Sequence, residues 1–167
     1  GGMQVQKSVA EKWQKVTGNV LSVGYGLSET SPAASIDPIG VDKFSDTLGL
    51  PLPSTEISIQ DDQGNHLDFN EPGEICIRGP QVMKGYWNNV EETNNVMTSD
   101  GWFKTGDIGI MNEGGFPKIV DRKKDMIIVS GFNVYPNEIE EVAMLHEKVF
   151  EAGCIGIKDQ EGSENIK

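Results

Sequence analysis

Histidine and cysteine are scarce in this 167-residue chain, with two of each. His66 and His146 stand far apart, and neither has a second ligand or nucleophile beside it in sequence. That argues against a histidine metal cluster or a nucleophile–histidine pair. Cys76 and Cys154 each lie in apolar, strand-like runs, where buried free thiols are expected along with a reducing compartment. No apolar run approaches the roughly 18 residues of a membrane span, and no signal peptide is expected. Basic residues are also short: 14 Lys and Arg against 26 Asp and Glu, a net charge of −12. Phosphate-backbone binding needs a basic footprint, so a nucleic-acid partner is excluded; the acidity serves solubility. Repeats and low-complexity tracts are absent too. Hydrophobic residues make up 37%, enough for one packed domain or a domain and part of another.

What is present reads as mixed α+β. Val5, Val9, Trp13 and Val16 recur at helical spacing before Thr17-Gly18, which predicts a helix with one buried stripe. Val20 to Val23 then reads as a short strand delivering a Gly-Tyr-Gly turn. Residues 38–120 change texture, to short apolar runs separated by turn chemistry such as Asp61-Asp62-Gln63-Gly64-Asn65 and Asn112-Glu113-Gly114-Gly115. This predicts antiparallel hairpins in a small distorted barrel or sheet, with one short helix near Val90 to Met97. Asp121 to Asp125 has no apolar member and is expected to be a linker. Beyond it come a hairpin turning at Ser130-Gly131, a helix opened by Pro136, and a strand over Ala152 to Ile157. Ile139, Val142, Ala143 and Leu145 supply the helix's apolar side. Trp13, Trp87 and Trp102 are expected to pack.

Three motifs carry chemistry. Gly24-Tyr25-Gly26 is first a turn, but an aromatic ring between two glycines also lets a planar group approach the backbone. Ser28 and Glu29 follow; Ser28 offers a hydroxyl, and Glu29 is either a solvated carboxylate or a hard oxygen ligand for Mg²⁺. Asp107, after Thr105-Gly106, is either a turn former or an acceptor for vicinal hydroxyls. Arg122 brings fixed donors, whereas Asp121 and Lys123 read as a solvated face, Lys123 with no role.

In this order, and with Asp100-Gly101-Trp102-Phe103-Lys104-Thr105-Gly106-Asp107 and Lys118-Ile119-Val120-Asp121-Arg122-Lys123-Lys124 as worded, the chain resembles the adenylate-forming (acyl-activating) enzymes. Within them it looks most like the long-chain fatty-acid–CoA ligase branch. The resemblance covers nearly the whole chain. It implies ATP and coenzyme A as co-substrates, a long or medium fatty acid, and Mg²⁺. Residues 1–120 would be the end of the large ATP-binding domain, 121–125 the hinge and 126–167 the start of a small domain. By position, Gly24, Tyr25, Gly26, Asp107 and Arg122 would contact ATP or AMP. Ser28, where the family commonly has threonine, and Glu29 would be catalytic, Glu29 also holding Mg²⁺. Lys124 would be the hinge, and Gly131 would line the coenzyme A channel. Lys84-Gly85-Tyr86-Trp87 resembles a family motif that supports the adenylate site without direct chemistry.

Both ends look cut. The family's phosphate loop is expected upstream of Gly1 and its C-terminal lysine beyond Lys167, since Lys158 and Lys167 are not in that motif. These residues alone are therefore expected to be inactive. A cytoplasmic location follows, and the resemblance is compatible with peripheral contact at the inner face of the membrane and with a homodimer. The rival readings are an adenylating enzyme for an aryl acid or a carrier-protein thiol, and a non-catalytic binding module.

Overall fold

The structure, a computed structural model, describes residues 5–158 and 164–167, so the Gly1-Gly2-Met3 opening falls outside it. Helix α1 (Lys7–Thr17) ends where Gly18 turns left-handed and its N–H reaches Gln14 O at 2.8 Å. Its expected buried stripe is not buried. Val9, Trp13 and Val16 are 54%, 48% and 78% exposed, and Ala10 is the helix residue that is covered. Strand β1 (Gly24–Tyr25) pairs antiparallel with β2 (Ser35–Ile36), which pairs with β3 (Leu50–Pro51). It forms just after the expected Val20 to Val23 because pairing is anchored at Val23, whose N–H donates to Asp37 Oδ2 and whose carbonyl accepts from Asp37 N. Tyr25 therefore sits in the strand rather than in a turn after it.

Strands β4 (Glu56–Gln60), β5 (Gly73–Arg78), β6 (Phe103–Met111) and β7 (Pro117–Arg122) form an antiparallel sheet in chain order. The sheet stays open, so the barrel alternative is not realised. Alternation decides its faces. Ile59, Ile75 and Ile77 join Ala34 and Leu48 in the core, with Tyr25 and Leu27 packed against them. The opposite face carries Glu56, Ser58 and Gln60 beside Arg78, Cys76 and Glu74. There Arg78 pairs with Glu56 and lies 4.5 Å over the Trp102 ring. Trp102 is buried as expected, but Trp87 is 91% exposed rather than packed. Helix α2 (Val90–Val96) is capped by Asn89, which accepts from Glu92 N.

Strands β8 (Ile127–Val129) and β9 (Phe132–Val134) make the expected hairpin, with Ser130 and Gly131 at positive φ in its two-residue turn. Helix α3 (Pro136–Met144) opens on Pro136. Its apolar side is again uncovered, Val142 and Leu145 being 68% and 83% exposed. The last expected strand begins later than Ala152: β10 (Gly156–Lys158) pairs with β11 (Glu164–Ile166). Both thiols are buried and free, as expected.

Asp121 corrects the sequence reading most sharply. It is not a solvated linker residue but is 3% exposed, inside β7. One carboxylate oxygen accepts from Arg122 N at 2.7 Å and the other from Asn137 N at 3.0 Å. Asn137 is in the first turn of α3, where backbone N–H groups lack helical partners; Asp121 supplies one. Strand β7 also carries one extra residue, Val120, where pairing shifts between Ile108 and Gly109. Its carbonyl accepts from Asn137 Nδ2 at 3.2 Å. A bulge and a buried acid thus dock the second α+β segment onto the sheet. We predict that Asp121→Ala costs about 1–3 kcal/mol of stability, the loss of a cap and of charge-assisted bonds. Asp121→Asn, which keeps an acceptor, should recover part of it in denaturant unfolding. Equal stability of the alanine variant and the parent would refute the docking role.

Candidate functional site

The site grows from an interruption in the β5–β6 ladder. Glu74 pairs with Ile108 and Cys76 with Lys104, so one residue of β5 faces three of β6: Thr105, Gly106 and Asp107. Such a bulge bends the strand and re-aims a side chain. Gly106 takes φ +76°, which a side-chain-bearing residue adopts only with strain. Thr105 closes the gap, its hydroxyl donating to Ile75 O at 2.8 Å and accepting from Asp107 N at 3.1 Å. Asp107 is thereby aimed at Tyr25, whose hydroxyl donates to its Oδ2 at 2.7 Å. Arg122 lies opposite Asp107 in the β6–β7 register, its Nε 3.8 Å from Oδ1. That distance makes an ion pair but no direct hydrogen bond.

Glu29 comes from a 3₁₀ turn over Ser28–Thr30 that the buried Thr30 holds in place. The Thr30 hydroxyl accepts from Leu27 N at 2.9 Å and lies 2.8 Å from Pro32 O. Gly26 is needed here for space, because a Cβ would run into the Pro32 carbonyl. Gly24 has no such need: a Cβ would meet only ordinary contacts there. Tyr86 then donates to Glu29 Oε1 at 2.8 Å, and Met83 N donates to Glu29 O at 2.8 Å.

Tyr25, Glu29, Asp107, Arg122 and Lys124 line one open cleft of about 1220 Å³, with Gly24 and Gly26 at its wall. Two expected site residues stand apart from that wall: Ser28 is exposed beside it, and Gly131 is exposed at the β8–β9 hairpin tip.

The AMP-binding enzyme family matches residues 1–87, just over half of the chain. The chain belongs to that family. It is 54% identical over its whole length to a long-chain-fatty-acid–CoA ligase of Yersinia pestis, of which it spans 30%. Among solved structures it superposes on ATP-bound MatB from Rhodopseudomonas palustris with a TM-score of 0.91 and 33% identity, over 96% of this chain and 32% of that one. It matches o-succinylbenzoate CoA synthetase (MenE) of Bacillus subtilis, in complex with the acyl-adenylate intermediate OSB-AMP, with a TM-score of 0.86 and 34% identity. That match covers 99% of this chain and 34% of the synthetase. The chain thus spans about a third of the proteins it resembles.

Sequence reasoning gave Thr30 and Thr105 no role in this cleft. Thr30 and Thr105 act on backbone next to motif residues, and only their hydroxyls signal it. Tyr86 falls in the supporting motif Lys84-Gly85-Tyr86-Trp87, but its partner Glu29 lies 57 positions away, beyond any spacing rule. Lys123, read as having no role, is bonded to Asp62 and Glu74. His66 is not isolated, since Ser58 Oγ lies 2.7 Å from its Nδ1, but that pair sits away from the cleft lining.

Burial dominates the protonation of the site. It pushes the Tyr25 phenol far up, and the Asp107 charge adds to that. Burial, then the Glu29 hydrogen bond and charge, push Tyr86 up to about 12. Both phenols remain donors at neutral pH. Burial also raises the Asp107 carboxyl above its ordinary 3.8, against the lowering effects of the Tyr25 hydrogen bond and the Arg122 charge. For such a raised acid, the stabilising contribution is complete below the ordinary value and is lost as pH rises through the raised one. We therefore expect Asp107→Asn to melt higher than the parent at neutral pH, with the difference closing as pH falls toward 4. Thermal unfolding of both proteins across that range is the measurement. A parent that stays more stable at neutral pH would mean that Tyr25 and Arg122 outweigh burial.

Proposed function

We propose that the protein carrying this chain is an ATP- and Mg²⁺-dependent fatty-acid–CoA ligase. It converts a carboxylate and ATP to acyl-AMP and pyrophosphate, then acyl-AMP and coenzyme A to acyl-CoA and AMP. The observation that carries the proposal is the Asp107 carboxylate. One of its oxygens is engaged by the Tyr25 hydroxyl, and the other faces Arg122 without a direct hydrogen bond. An ionised acid has acceptor capacity to spare, so Asp107 can take both vicinal hydroxyls of a ribose while the Tyr25 ring packs on the base. The likeness of the whole chain to a long-chain-fatty-acid–CoA ligase supports a fatty acid rather than an aryl acid.

Carboxylates are poor electrophiles until one oxygen is joined to a good leaving group, which AMP provides. Residues of this chain contribute orientation. Asp107 and Arg122 fix the sugar, Tyr25 the base, and Ser28 a phosphate oxygen. Glu29 fits a Mg²⁺ site. Among the described residues no cluster of three or more His, Cys, Asp or Glu could hold a metal alone, and Mg²⁺ usually takes one or two carboxylates with substrate phosphates. When bound, the ion offsets repulsion between carboxylate and triphosphate and stabilises the charge that develops at phosphorus. Among the described residues, Tyr86 donates to Glu29 Oε1 and no group donates to Oε2.

In this reading Lys124 is the hinge, and Gly131 reaches the coenzyme A channel only after the small domain swings. Two measurements test the reading in the full-length protein. Asp107→Ala should raise the KM for ATP in ATP–pyrophosphate exchange by at least about tenfold, since two charge-assisted hydrogen bonds are each typically worth about 1.5–3 kcal/mol. An unchanged KM would remove the ribose assignment. Lys124→Pro fixes φ near −65° and should depress one half-reaction far more than the other. Equal losses in pyrophosphate exchange and in coenzyme A transfer from preformed acyl-AMP, at unchanged thermal stability, would place the hinge elsewhere.

A further inference from the structure

Glu74 is a buried acid that the proposed reaction does not use. It is 8% exposed, in the central strand β5, with apolar Ile75 and Cys76 following it. A carboxylate there is costly unless its oxygens are paired. Its partners come from two functional segments at once. Oε1 accepts from Gly106 N at 3.0 Å, and Oε2 accepts from Lys123 Nζ at 3.0 Å.

The first bond repairs the ladder. Where β6 bulges, Gly106 N loses a cross-strand partner, and an unpaired backbone donor is expensive away from water. Glu74 replaces that partner from beneath, so the bulge that aims Asp107 has a support as well as a shape. The second bond reaches the linker. Lys123 is the residue before the proposed hinge, and its own N–H extends the β6–β7 ladder by donating to Gly106 O at 2.9 Å. Gly106 is therefore gripped on both sides, its N–H by Glu74 and its carbonyl by Lys123, and the two gripping residues are bonded to each other. Asp62, from the turn after β4, gives the Lys123 ammonium its second carboxylate at 2.7 Å.

We propose that Glu74 is a positioning residue for adenylation, and that its bridge to Lys123 couples the ribose-binding bulge to the linker. Rearrangement of the linker then draws on the same contacts that hold Asp107 in place, and filling the nucleotide site favours the linker state seen here. This rests on the ligase reading for its role in turnover, but the coupling itself is a property of the fold.

Two variants separate the bonds. Glu74→Gln keeps an oxygen for Gly106 N and removes the charge facing Lys123. Lys123→Met removes the ammonium and touches neither Asp107 nor Arg122. In the full-length protein, hydrogen exchange over residues 103–111 should quicken in Lys123→Met by threefold or more, although the substitution lies outside that strand. Glu74→Ala should quicken it further than Glu74→Gln. Unchanged exchange over 103–111 in Lys123→Met overturns the proposal, whether or not the protein turns over. In steady state, Lys123→Met and Glu74→Gln should each raise the KM for ATP at least threefold in pyrophosphate exchange with kcat within twofold. The double variant should do no more than the worse single one. Additive effects would mean that the two residues act separately. Failure of the unmodified protein to exchange pyrophosphate with any fatty acid would instead sink the ligase reading and leave the exchange result standing.

Discussion

Strands β5 and β6 cannot keep register between Glu74 and Cys76, and most of the site follows from that fault. Three residues of β6 must be accommodated against one of β5, so backbone groups that would have paired across the ladder need other partners. Thr105 and Glu74 provide them through side chains, and Gly106 provides the left-handed turn. Only with those bonds made does Asp107 point at Tyr25, which comes from a different sheet. A regular ladder would be more stable locally and would turn Asp107 elsewhere. The fold accepts the interruption and stabilises it with buried polar groups, each of which has to be satisfied.

Motif residues were legible in the sequence because their types and order are unusual. The hairpins between 56 and 134 were legible because turn chemistry punctuates short apolar runs. Neither signal extends to partners across strands. Glu74 reads as an ordinary polar residue before an apolar run, and Lys123 as one charge among several. Asp121 reads as solvated because its neighbours are charged, yet strand register turns it inward under α3. Exposure was misread in the opposite direction at Val9, Val16, Val142 and Leu145. Periodicity finds a helix and its apolar face, but it cannot say whether an element packs on that face.

Charge in the chain is unevenly used. Much of the excess acid lies on the three helices and in exposed turns, whereas the buried carboxylates Asp37, Glu74 and Asp121 all accept from backbone N–H groups. Each stands at a place where a strand starts, bulges or ends. In an apolar interior a carboxylate is tolerated only with strong donors, and backbone N–H groups left over from irregular pairing are such donors. These acids are therefore structural complements of the irregularities, and an apolar residue of similar size in their place would leave backbone donors unpaired.

Lys123 ties this pattern to the proposed hinge. A cation with 41% of its side chain exposed contributes little to stability on a surface, but this one reaches a carboxylate that is only 10% exposed. Glu74 keeps its backbone partner if the ammonium leaves, so the acid is never stripped of both bonds at once. The bridge can then open at modest cost, with water replacing Lys123 while the Gly106 N–H bond persists. A contact that is directional, partly solvated and backed by a second acceptor in Asp62 would suit the hinge motion proposed for Lys124. A fully buried pair would lock the linker, and a fully exposed one would not register the state of the bulge.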